Sequence, residues 1–449
     1  MSTGPGRLHF DPMTSPATPD SAFADGSRDV EKIHVLDLFA GPGGLDVAAH
    51  FLGWESIGIE WDANACETRY SAGLPTIHAD VRTMRTERFD ELPDDINVLV
   101  GGPPCQTFSV AGNGAGRRAL TEVKSFIKRL VAREESSEDI DRELAALGDP
   151  RTALVLEPLR WIMAAIENGK PYRAVVLEQV PSVLPVWNAY KEVLESGVLP
   201  GGIEYRAECK VLRMEEYGVP QTRRRAVLVA RLAELGRVSL PRKTHRAFTR
   251  QKDETAPAGL ITFDEAVLEE AGDDEKSPSD GEGRAPWVSM GEALRETSRE
   301  LGRPEPYVVV SNYGSGGDPK NRGRRTSDQP AFTVTGKISR NVVETPDGRP
   351  LPRFTIPEAG VLQTFPANFP WGGRDRAQQV GNAVPPRFGV HLLAAALGLG
   401  EARVAEALGR MHEWPRISQE ERERLRKIGC GDGDKCPTQP PHPPVTPLR

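Results

Sequence analysis

Short apolar runs alternate with amphipathic stretches along the first half of the chain. The runs are rich in β-branched residues and include IHVLDLF, ESIGIE, NVLVGG, RAVVLE, YRAECKVLR and RAVLVA. The stretches between them, such as GGLDVAAHFLG and PVWNAYKEVLESG, carry apolar residues at helical spacing. This βα alternation predicts an α/β fold, with a doubly wound, mostly parallel sheet in a first domain at 31–235.

The alternation stops near the end of this domain and resumes close to the end of the chain. Residues 236–350 mix proline, acidic and basic stretches, which predicts a smaller and irregular second domain. Residues 351–375 are expected to form a hinge, and the apolar stretch GVHLLAAALGLG predicts a helix that completes the first domain within 376–412. The leader at 1–30 and the charged, then proline-rich tail at 416–449 are expected to be disordered.

One segment interrupts the alternation inside the first domain. Residues 113–148 are highly charged and are bounded by glycines. We expect them to form a long loop with at most one helix, rather than an element of the core.

The composition favours a cytoplasmic protein with no membrane segment. Hydrophobic residues make up 38% of the chain, no apolar run approaches the ~18 residues of a membrane helix, and the leader lacks the apolar core of a signal peptide. The cysteines are few and scattered, which argues against a disulfide framework and for a reducing compartment: Cys66, Cys105, Cys209, Cys430 and Cys436. No metal site is expected, because Cys430 and Cys436 have no histidine close to them.

The charge of the chain is uneven. The net charge is -7, but residues 205–250 hold twelve Lys and Arg against four Asp and Glu, and residues 321–340 hold five against one. Residues 264–282, in contrast, hold nine acids and one lysine. The overall acidity therefore does not exclude a nucleic-acid partner, because the two basic segments can act locally.

The motif LDLFAGPGGLDVA predicts a strand, a tight turn and the start of a helix. Backbone N–H groups at such a helix start can receive an anionic group of a ligand. Gly41 and Gly43 match the first two glycines of a dinucleotide-binding G-x-G-x-x-G, but Asp46 takes the place of the third. This departure favours a nucleoside ligand without pyrophosphate, such as S-adenosylmethionine, and disfavours a nicotinamide oxidoreductase.

Acidic and aromatic residues follow the next two predicted strands. Glu60 ends the second strand and is positioned to accept hydrogen bonds from both ribose hydroxyls of a nucleoside, and Trp61 beside it can stack on adenine. Asp80 follows the third strand and suits an adenine amino group. Three such signals at successive strand ends predict a nucleoside site at one edge of the sheet.

A thiol and an acid follow the fourth and fifth strands. Cys105 lies in a proline-bounded turn just after the fourth strand, where a thiolate is exposed to the same crevice, and Glu178 ends the fifth strand. This pairing favours nucleophilic catalysis by Cys105 with Glu178 as a general acid. Arg223 and Arg225 alternate at period two behind Gln221, so the two guanidinium groups are expected to hold a base oxygen or a phosphate.

The ordered set of motifs DLFAGPGG, PPCQTFSVAG, LEQV, QTRRR, LQTFP and QQVGNAVPP resembles the C5-cytosine-specific DNA methyltransferases over nearly the whole core. The resemblance implies that Cys105 is the nucleophile, that Glu178 engages the cytosine ring and that Arg223 and Arg225 accompany it. It also implies S-adenosylmethionine as cofactor, with a larger set of contact residues: Phe39, Gly41, Gly43, Glu60, Trp61, Asp80, Val81, Pro104, Leu154, Asn382 and Val384.

The resemblance places the target-recognition domain at 236–350. Expected DNA contacts are Ser109 and Gln221, together with Arg324 and Arg325 in the segment NRGRRTSDQPAFTVTG. Two positions depart from the family pattern: Gln179 replaces the asparagine of ENV, and Pro357 stands where an arginine is usual. The first departure puts the local orientation of Glu178 in doubt, and the second suggests that a DNA contact has moved.

The implied reaction needs a thiolate to add to carbon 6 of cytosine before carbon 5 can accept a methyl group, on a base flipped out of the duplex. An RNA methyltransferase and a non-catalytic DNA-binding protein on the same scaffold are the alternatives. A monomer is expected, because one flipped base needs one active site. The sequence leaves open the DNA sequence recognised and whether a cognate restriction endonuclease accompanies the chain.

Overall fold

A seven-stranded mixed sheet forms the centre of the first domain in the computed structural model. The structure describes residues 32–104, 115–133, 139–140, 142–143, 150–249, 283–300, 303–311 and 323–430. The strands are β1 His34–Leu38, β2 Glu55–Glu60, β3 Thr76–His78, β4 Val98–Gly101, β5 Ala174–Gln179, β6 Tyr205–Arg213 and β7 Arg224–Leu232. Their order is β3-β2-β1-β4-β5-β7-β6, with β7 antiparallel to both of its neighbours and β1 to β5 parallel. The predicted doubly wound, mostly parallel α/β sheet is confirmed.

Helices cover both faces of this sheet. Because side chains alternate along a strand, Leu36 and Leu38 face one apolar core and Val35 faces the other. The helices of the first domain are α1 Gly44–Phe51, α2 Ala63–Ala72, α3 Val81–Glu87, α4 Ala115–Ala132, α5 Glu157–Glu167 and α6 Leu184–Glu195, and later in the chain α9 Arg376–Asn382, α10 Pro386–Leu397, α11 Glu401–Gly409 and α12 Gln419–Cys430. Helix α10 packs on α1, β5 and β7, so the late apolar helix completes the first domain as predicted.

The interrupting segment contains a core helix, which corrects the expectation of a loop. Helix α4 places Val123, Phe126, Ile127 and Leu130 in the same core as α5 and α6. These residues recur at helical spacing, and the lysines and arginines between them lie on the other face of α4. The charged composition of the segment concealed this amphipathic pattern.

A second domain is built on a small antiparallel sheet of order β11-β10-β8-β9. Its strands are β8 Val308–Val310, β9 Arg324–Thr326, β10 Val342–Glu344 and β11 Pro350–Leu351, and its helices are α7 Met290–Glu300 and α8 Ile356–Leu362. The core of this domain includes Leu362 of the predicted hinge and Val380 of α9, so its packing extends beyond residue 350. Val238 and Leu240, at the start of the predicted second domain, pack on the first domain, so the chain leaves the first domain after residue 235.

The tail expected to be disordered from residue 416 contains helix α12, which is a correction. Leu425 of α12 is buried against Cys66 and Tyr70 of α2. A Cβ on Gly429 would lie 2.2 Å from Thr76 O, so α12 packs closely on the edge strand β3. Cys430, which ends α12, is disulfide-bonded, contrary to the expectation drawn from the scattered cysteines. The leader, the acidic segment 264–282 and the last 19 residues lie outside the described residues.

Among the described helices, none has the length and apolar character needed to cross a membrane.

Candidate active site

The glycine turn between β1 and α1 has an unusual backbone. Phe39 has φ 58°, Gly41 φ 55° and Gly43 φ 100°, all in the left-handed region. A bulky residue such as Phe39 is rarely found there, and such strain concentrates at ligand sites. A Cβ on Gly44, the first residue of α1, would lie 2.1 Å from Val384 O. The structure therefore brings Val384, an expected cofactor residue, against the turn.

Asp46 forms a buried ion pair directly beneath this turn. Arg69 Nη1 donates to Asp46 Oδ2 at 2.6 Å and Nη2 to Oδ1 at 3.1 Å, and both side chains are fully buried. The same guanidinium would lie 2.0 Å from a Cβ on Gly58 of β2 and 3.3 Å from one on Gly43. Asp46, which stands in place of the third glycine, thus anchors the turn to α2 and β2 through Arg69. The spacing of the motif did not indicate this role.

A second carboxyl group lies in this buried cluster. Asp37 of β1 is 2% exposed, and one of its oxygens has no hydrogen-bond partner among the described groups. Burial, followed by the nearby charge of Asp46, raises the pKa of Asp37 well above its usual range. Two buried carboxyl groups thus share one arginine, so the protonated form of Asp37 is favoured.

Glu60 lies at the carboxyl end of β2 and faces the turn. Its Oε2 accepts from Gly41 N at 2.6 Å, and its Oε1 accepts from Trp61 N at 2.7 Å and Asp62 N at 2.6 Å. Burial raises the pKa of Glu60, although the backbone hydrogen bonds oppose this effect. A carboxylate has about four acceptor positions, so about one remains on Oε2 for a ligand hydroxyl, where we expected two ribose contacts.

Trp61 and Asp80 lie at the same edge. The side chain of Trp61 is 39% exposed, as a stacking platform requires. Asp80 caps α3 by accepting from Arg82 N at 2.8 Å, and its carboxylate also accepts from the Arg82 guanidinium at 2.6 Å. Burial alone would raise the pKa of Asp80, but the bonds from Arg82 outweigh it and leave the pKa below its usual value. Asp80 therefore stays ionised as an acceptor.

The other expected cofactor residues vary in exposure. Val81 is buried at the start of α3, and Leu154 is half-buried in the 3₁₀ turn Pro150–Leu156 ahead of α5. Pro104 is half-buried just after β4. Asn382 ends α9 with its side chain exposed, and its Oδ1 accepts from Gln378 Nε2 at 2.9 Å.

Glu178 and Arg225 meet at the carboxyl end of β5. Arg225 Nε lies 3.0 Å from Glu178 Oε1 in an ion pair, although that oxygen accepts no aligned hydrogen bond. Glu178 is 5% exposed, and a Cβ on Gly102 would lie 3.9 Å from its Oε2. The acid thus faces the segment that leads into Cys105. Cys105 itself lies outside the described residues.

Gln179 holds this segment in place. Its Nε2 donates to Pro103 O at 2.7 Å, and its Oε1 accepts from Val180 N at 2.5 Å. The longer side chain that replaces the family's asparagine therefore bonds the end of β5 to the proline pair that precedes Cys105. The sequence comparison raised doubt about this position but did not predict the contact.

Arg223 does not join Glu178, which corrects the expectation from its period-two spacing with Arg225. It is 2% exposed, and its Nη1 donates to Val334 O at 2.9 Å and Gly381 O at 3.1 Å. Burial lowers the pKa of Arg223, and the charge of Arg225 adds to this effect. The side chain connects the start of β7 to the second domain and to α9.

Gln221 is also buried in this joint, so the expected DNA contact is not available to its side chain in this structure. Its Nε2 donates to Leu362 O and Gln363 Oε1, both at 2.8 Å, and its Oε1 accepts from Val334 N at 2.9 Å. Gln363 in turn donates to Val380 O at 2.6 Å. Gln363 was missed as an important residue, and its place in LQTFP was the only signal for it.

Arg324 and Arg325, the expected DNA contacts in the second domain, have partners within the protein. Arg324 forms an ion pair with Glu344 of β10. Arg325 donates to two backbone carbonyls, and its guanidinium lies 4.4 Å from the ring centre of Phe332 and 5.0 Å from that of Phe248. Ser109 lies outside the described residues.

The strand edge thus carries a strained glycine turn, an exposed tryptophan and a buried acid on a mostly parallel sheet, which are the features expected of an α/β enzyme with a nucleoside-type site. The C-5 cytosine-specific DNA methylase family matches residues 33–126 and 147–397. The chain is 27% identical over 381 residues to the Type II methyltransferase M1.HphI of Haemophilus parahaemolyticus, covering 81% of this chain and 86% of that protein. It is also 27% identical over 369 residues to the Type II methyltransferase M.AplI of Arthrospira platensis, covering 81% and 84%.

A solved structure of a putative DNA modification methyltransferase from an Escherichia coli prophage aligns with a TM-score of 0.46 at 17% identity, over 82% of this chain and 99% of that one. The chain belongs to the C-5 cytosine-specific DNA methylase family, and the predicted enzyme class, a DNA (cytosine-5-)-methyltransferase, is confirmed.

Proposed function

We propose that the chain transfers a methyl group from S-adenosylmethionine to carbon 5 of a flipped-out cytosine in double-stranded DNA, through a covalent adduct with Cys105. The observation that carries this proposal is the position of Glu178. It is paired with Arg225 and faces the Gly102–Pro104 segment, which Gln179 fixes and which leads directly into the thiol.

The residues at the glycine turn fit S-adenosylmethionine. The open acceptor position of Glu60, the exposed ring of Trp61 and the ionised Asp80 would hold its adenosine, and the left-handed backbone at Gly41 leaves open space above the turn. When bound, S-adenosylmethionine supplies an electrophilic methyl group on sulfur.

The protein groups act on the cytosine ring in a fixed order. The thiolate of Cys105 forms a bond to carbon 6, and the electron pair of the 5,6 double bond becomes available at carbon 5 as Glu178 holds a proton at nitrogen 3. Carbon 5 would take the methyl group as the bond between that group and sulfur breaks, which leaves S-adenosylhomocysteine. Transfer of the carbon 5 proton to water then restores the double bond and expels the thiolate of Cys105. A base stacked in the duplex cannot reach these groups, so the nucleotide has to leave the helix.

Mass spectrometry tests the adduct. The protein is incubated with S-adenosylmethionine and a mixed-sequence duplex containing 5-fluorocytosine, whose fluorine blocks the final elimination. We expect a methylated protein–DNA adduct with the wild type and with Cys209→Ala, a control thiol in β6, and none with Cys105→Ala. An adduct that persists in Cys105→Ala contradicts the assigned nucleophile.

The substrate class is decided by the same experiment. An adduct with structured RNA and none with duplex DNA would identify an RNA methyltransferase. DNA binding without any adduct would identify a non-catalytic scaffold protein.

The relatives named Type II methyltransferases support a role in restriction and modification in the cytoplasm, with a cognate endonuclease as partner. Bisulfite sequencing of DNA from cells that express the chain should then show methylation confined to one short motif. Methylation spread over unrelated sequences would contradict this role.

A further inference from the structure

Five exposed cations form a surface between the two domains, which we call the basic strip. Its members are Lys337, Arg340, Arg353, Arg374 and Arg376. Within the part of the chain that the structure describes, none of the five side chains has an ion-pair partner. Asp375, an exposed residue, is the acid that lies between two members in the sequence. The basic strip therefore carries a local positive charge on a chain whose net charge is -7.

The strip is continuous within the second domain because its segments touch. Lys337 directly precedes the 3₁₀ turn Ile338–Arg340, and Arg340 is the last residue of that turn. Arg353 Nη1 donates to Ser339 O, in the middle of that turn, at 2.8 Å. Three cations are thus held on one rigid piece of surface.

Helix α9 continues the strip toward the first domain. A Cβ on Gly336 would lie 2.1 Å from Gln378 Oε1, so the residue before Lys337 packs against α9 two residues after Arg376. A Cβ on Gly381 would lie 2.1 Å from Gly336 N, so the segment that leads into the turn packs on α9 at two positions. No lysine or arginine side chain is needed for this packing, which leaves the cations free to face outward.

The strip begins at the active-site edge of the sheet. Arg374 N donates to Asn64 Oδ1 at 2.9 Å, and Asn64 lies in the first turn of α2, immediately after Trp61 and the end of β2. At the other side, Thr222 N donates to Ala331 O at 2.9 Å just ahead of β7, whose start lies beside the carboxyl end of β5 and hence beside Glu178. The basic strip is therefore anchored on both sides to the edge that carries the candidate active site.

We propose that the basic strip binds the phosphate backbone of duplex DNA beside the flipped cytosine. Exposed guanidinium and ammonium groups are the usual donors to phosphate oxygens, and such contacts set the position of the protein on the duplex without reading its sequence. Two other basic residues of the second domain have acidic partners: Arg324 pairs with Glu344 and Arg349 with Asp347. This proposal rests on duplex DNA as the substrate, and it moves the expected DNA contact from Arg324 and Arg325 to the strip.

The test is the salt dependence of DNA binding. Fluorescence anisotropy gives the Kd of the full-length protein for a fluorescent mixed-sequence duplex at several salt concentrations. Each phosphate contact contributes about 0.9 to the slope of log K against log salt. We expect the double variant Lys337→Gln/Arg340→Gln to lower the slope by about 1.8, and Arg353→Gln and Arg376→Gln to lower it by about 0.9 each.

The matched control is Arg295→Gln/Arg299→Gln, on the exposed face of α7 among Glu292, Glu296 and Glu300. It removes the same charge from the same domain, and it should leave the slope within error of the wild type. Thermal unfolding of every variant should match the wild type, because the substituted side chains are exposed.

The outcomes separate this proposal from the proposed function. A wild type with a steep slope and strip variants indistinguishable from the α7 control would overturn the basic strip alone. A wild type that fails to bind the duplex, or that binds structured RNA in preference to it, would overturn both. A reduced slope in the strip variants with an unchanged α7 control supports the strip as the backbone contact.

Discussion

Side chains of the stretch QTRRR reach two regions of the molecule, the strand edge and the joint between the domains. The polar groups in these two regions differ in how many of their hydrogen bonds are made within the protein. Arg225 reaches the strand edge and pairs with Glu178, whose oxygens keep open acceptor positions. Arg223 and Gln221, two and four residues earlier, enter the joint between the domains, where their guanidinium and amide groups bond to Val334 and to other groups of the protein. A buried polar group that bonds mainly to other parts of the protein holds structure together, whereas one whose open positions lie at the strand edge is available to a substrate.

The strand edge should affect rate without affecting stability. Glu178→Gln keeps the volume of the side chain but removes the acid, so we expect kcat to fall by about 10²–10⁴-fold with little change in KM for DNA. Steady-state methylation with the duplex in excess gives kcat and KM, and single-turnover methylation with the enzyme in excess of the duplex isolates the chemical step. Gln179→Asn serves as the conservative neighbour, and a loss for it as large as that for Glu178→Gln would show that geometry, not acidity, is decisive.

The cluster beneath the glycine turn should affect both properties. Arg69→Met leaves the Asp46 carboxylate buried without its partner, which should lower the free energy of unfolding by about 3–5 kcal/mol and weaken S-adenosylmethionine binding. Denaturant unfolding and calorimetric titration measure the two effects. Asp37→Asn is the control, because a neutral side chain at that position already suits the cluster. Stability lost equally in both variants would refute the shared-arginine arrangement.

The joint should affect stability without affecting the chemical step. Gln221→Leu leaves Val334 N without its acceptor and removes two further bonds, at a cost of about 2–3 kcal/mol in the free energy of unfolding. Denaturant unfolding should show this loss, while single-turnover kcat at saturating DNA stays near the wild-type value. A fall in kcat comparable to that of Glu178→Gln would mean that the joint and the edge act as one unit.

A titratable group next to the joint should make the stability of the protein depend on pH. Glu215 is 2% exposed, and burial raises its pKa from 4.5 to about 7. Between about pH 5 and 7, the folded protein therefore holds a proton on Glu215 that the unfolded chain has released. The contribution of Glu215 to stability therefore falls as the pH rises from about 5 to 7, by about 2 kcal/mol.

Unfolding midpoints across this window should show that contribution as the difference between the wild type and Glu215→Gln. Parallel pH profiles for the two proteins would contradict the raised pKa of Glu215.

The sheet and most of the strand-edge residues were predictable because they depend on local pattern. Short apolar, β-branched runs predicted the strands of the first domain, and the position of Glu60, Trp61, Asp80 and Glu178 at strand ends placed them on one edge. Patterns masked by charge were harder to interpret. Charged residues are interleaved with the apolar ones in α4, and apolar residues are few in α12, so the first segment was expected to lie outside the core and the second to belong to the disordered tail.

Side-chain direction was beyond the sequence. Spacing placed Arg223 and Arg225 on the same side of a strand, but β7 begins between two domains, and backbone carbonyls from residues 334 and 381 reach only the first of the two arginines. Gln221, Arg324 and Arg325 were likewise expected to contact DNA, because the sequence does not show which groups their side chains meet in the fold. Each instead found a partner from a segment distant in the chain, or in the case of Arg325 in its own turn and two aromatic rings.

The sequence by itself determined the fold class, the family and the candidates for thiol, acid and cofactor contacts, because these depend on short motifs and on the periods of strands and helices. Only the tertiary structure decided which polar groups are used up inside the protein and which stay open. Burial and partner geometry depend on residues more than a hundred positions apart, as in the bond between Arg223 and Gly381. No local sequence pattern marks these contacts. Only the folded chain shows that Glu178 keeps open acceptor positions while Gln221 does not, and that the basic strip lacks ion-pair partners while Arg324 has one.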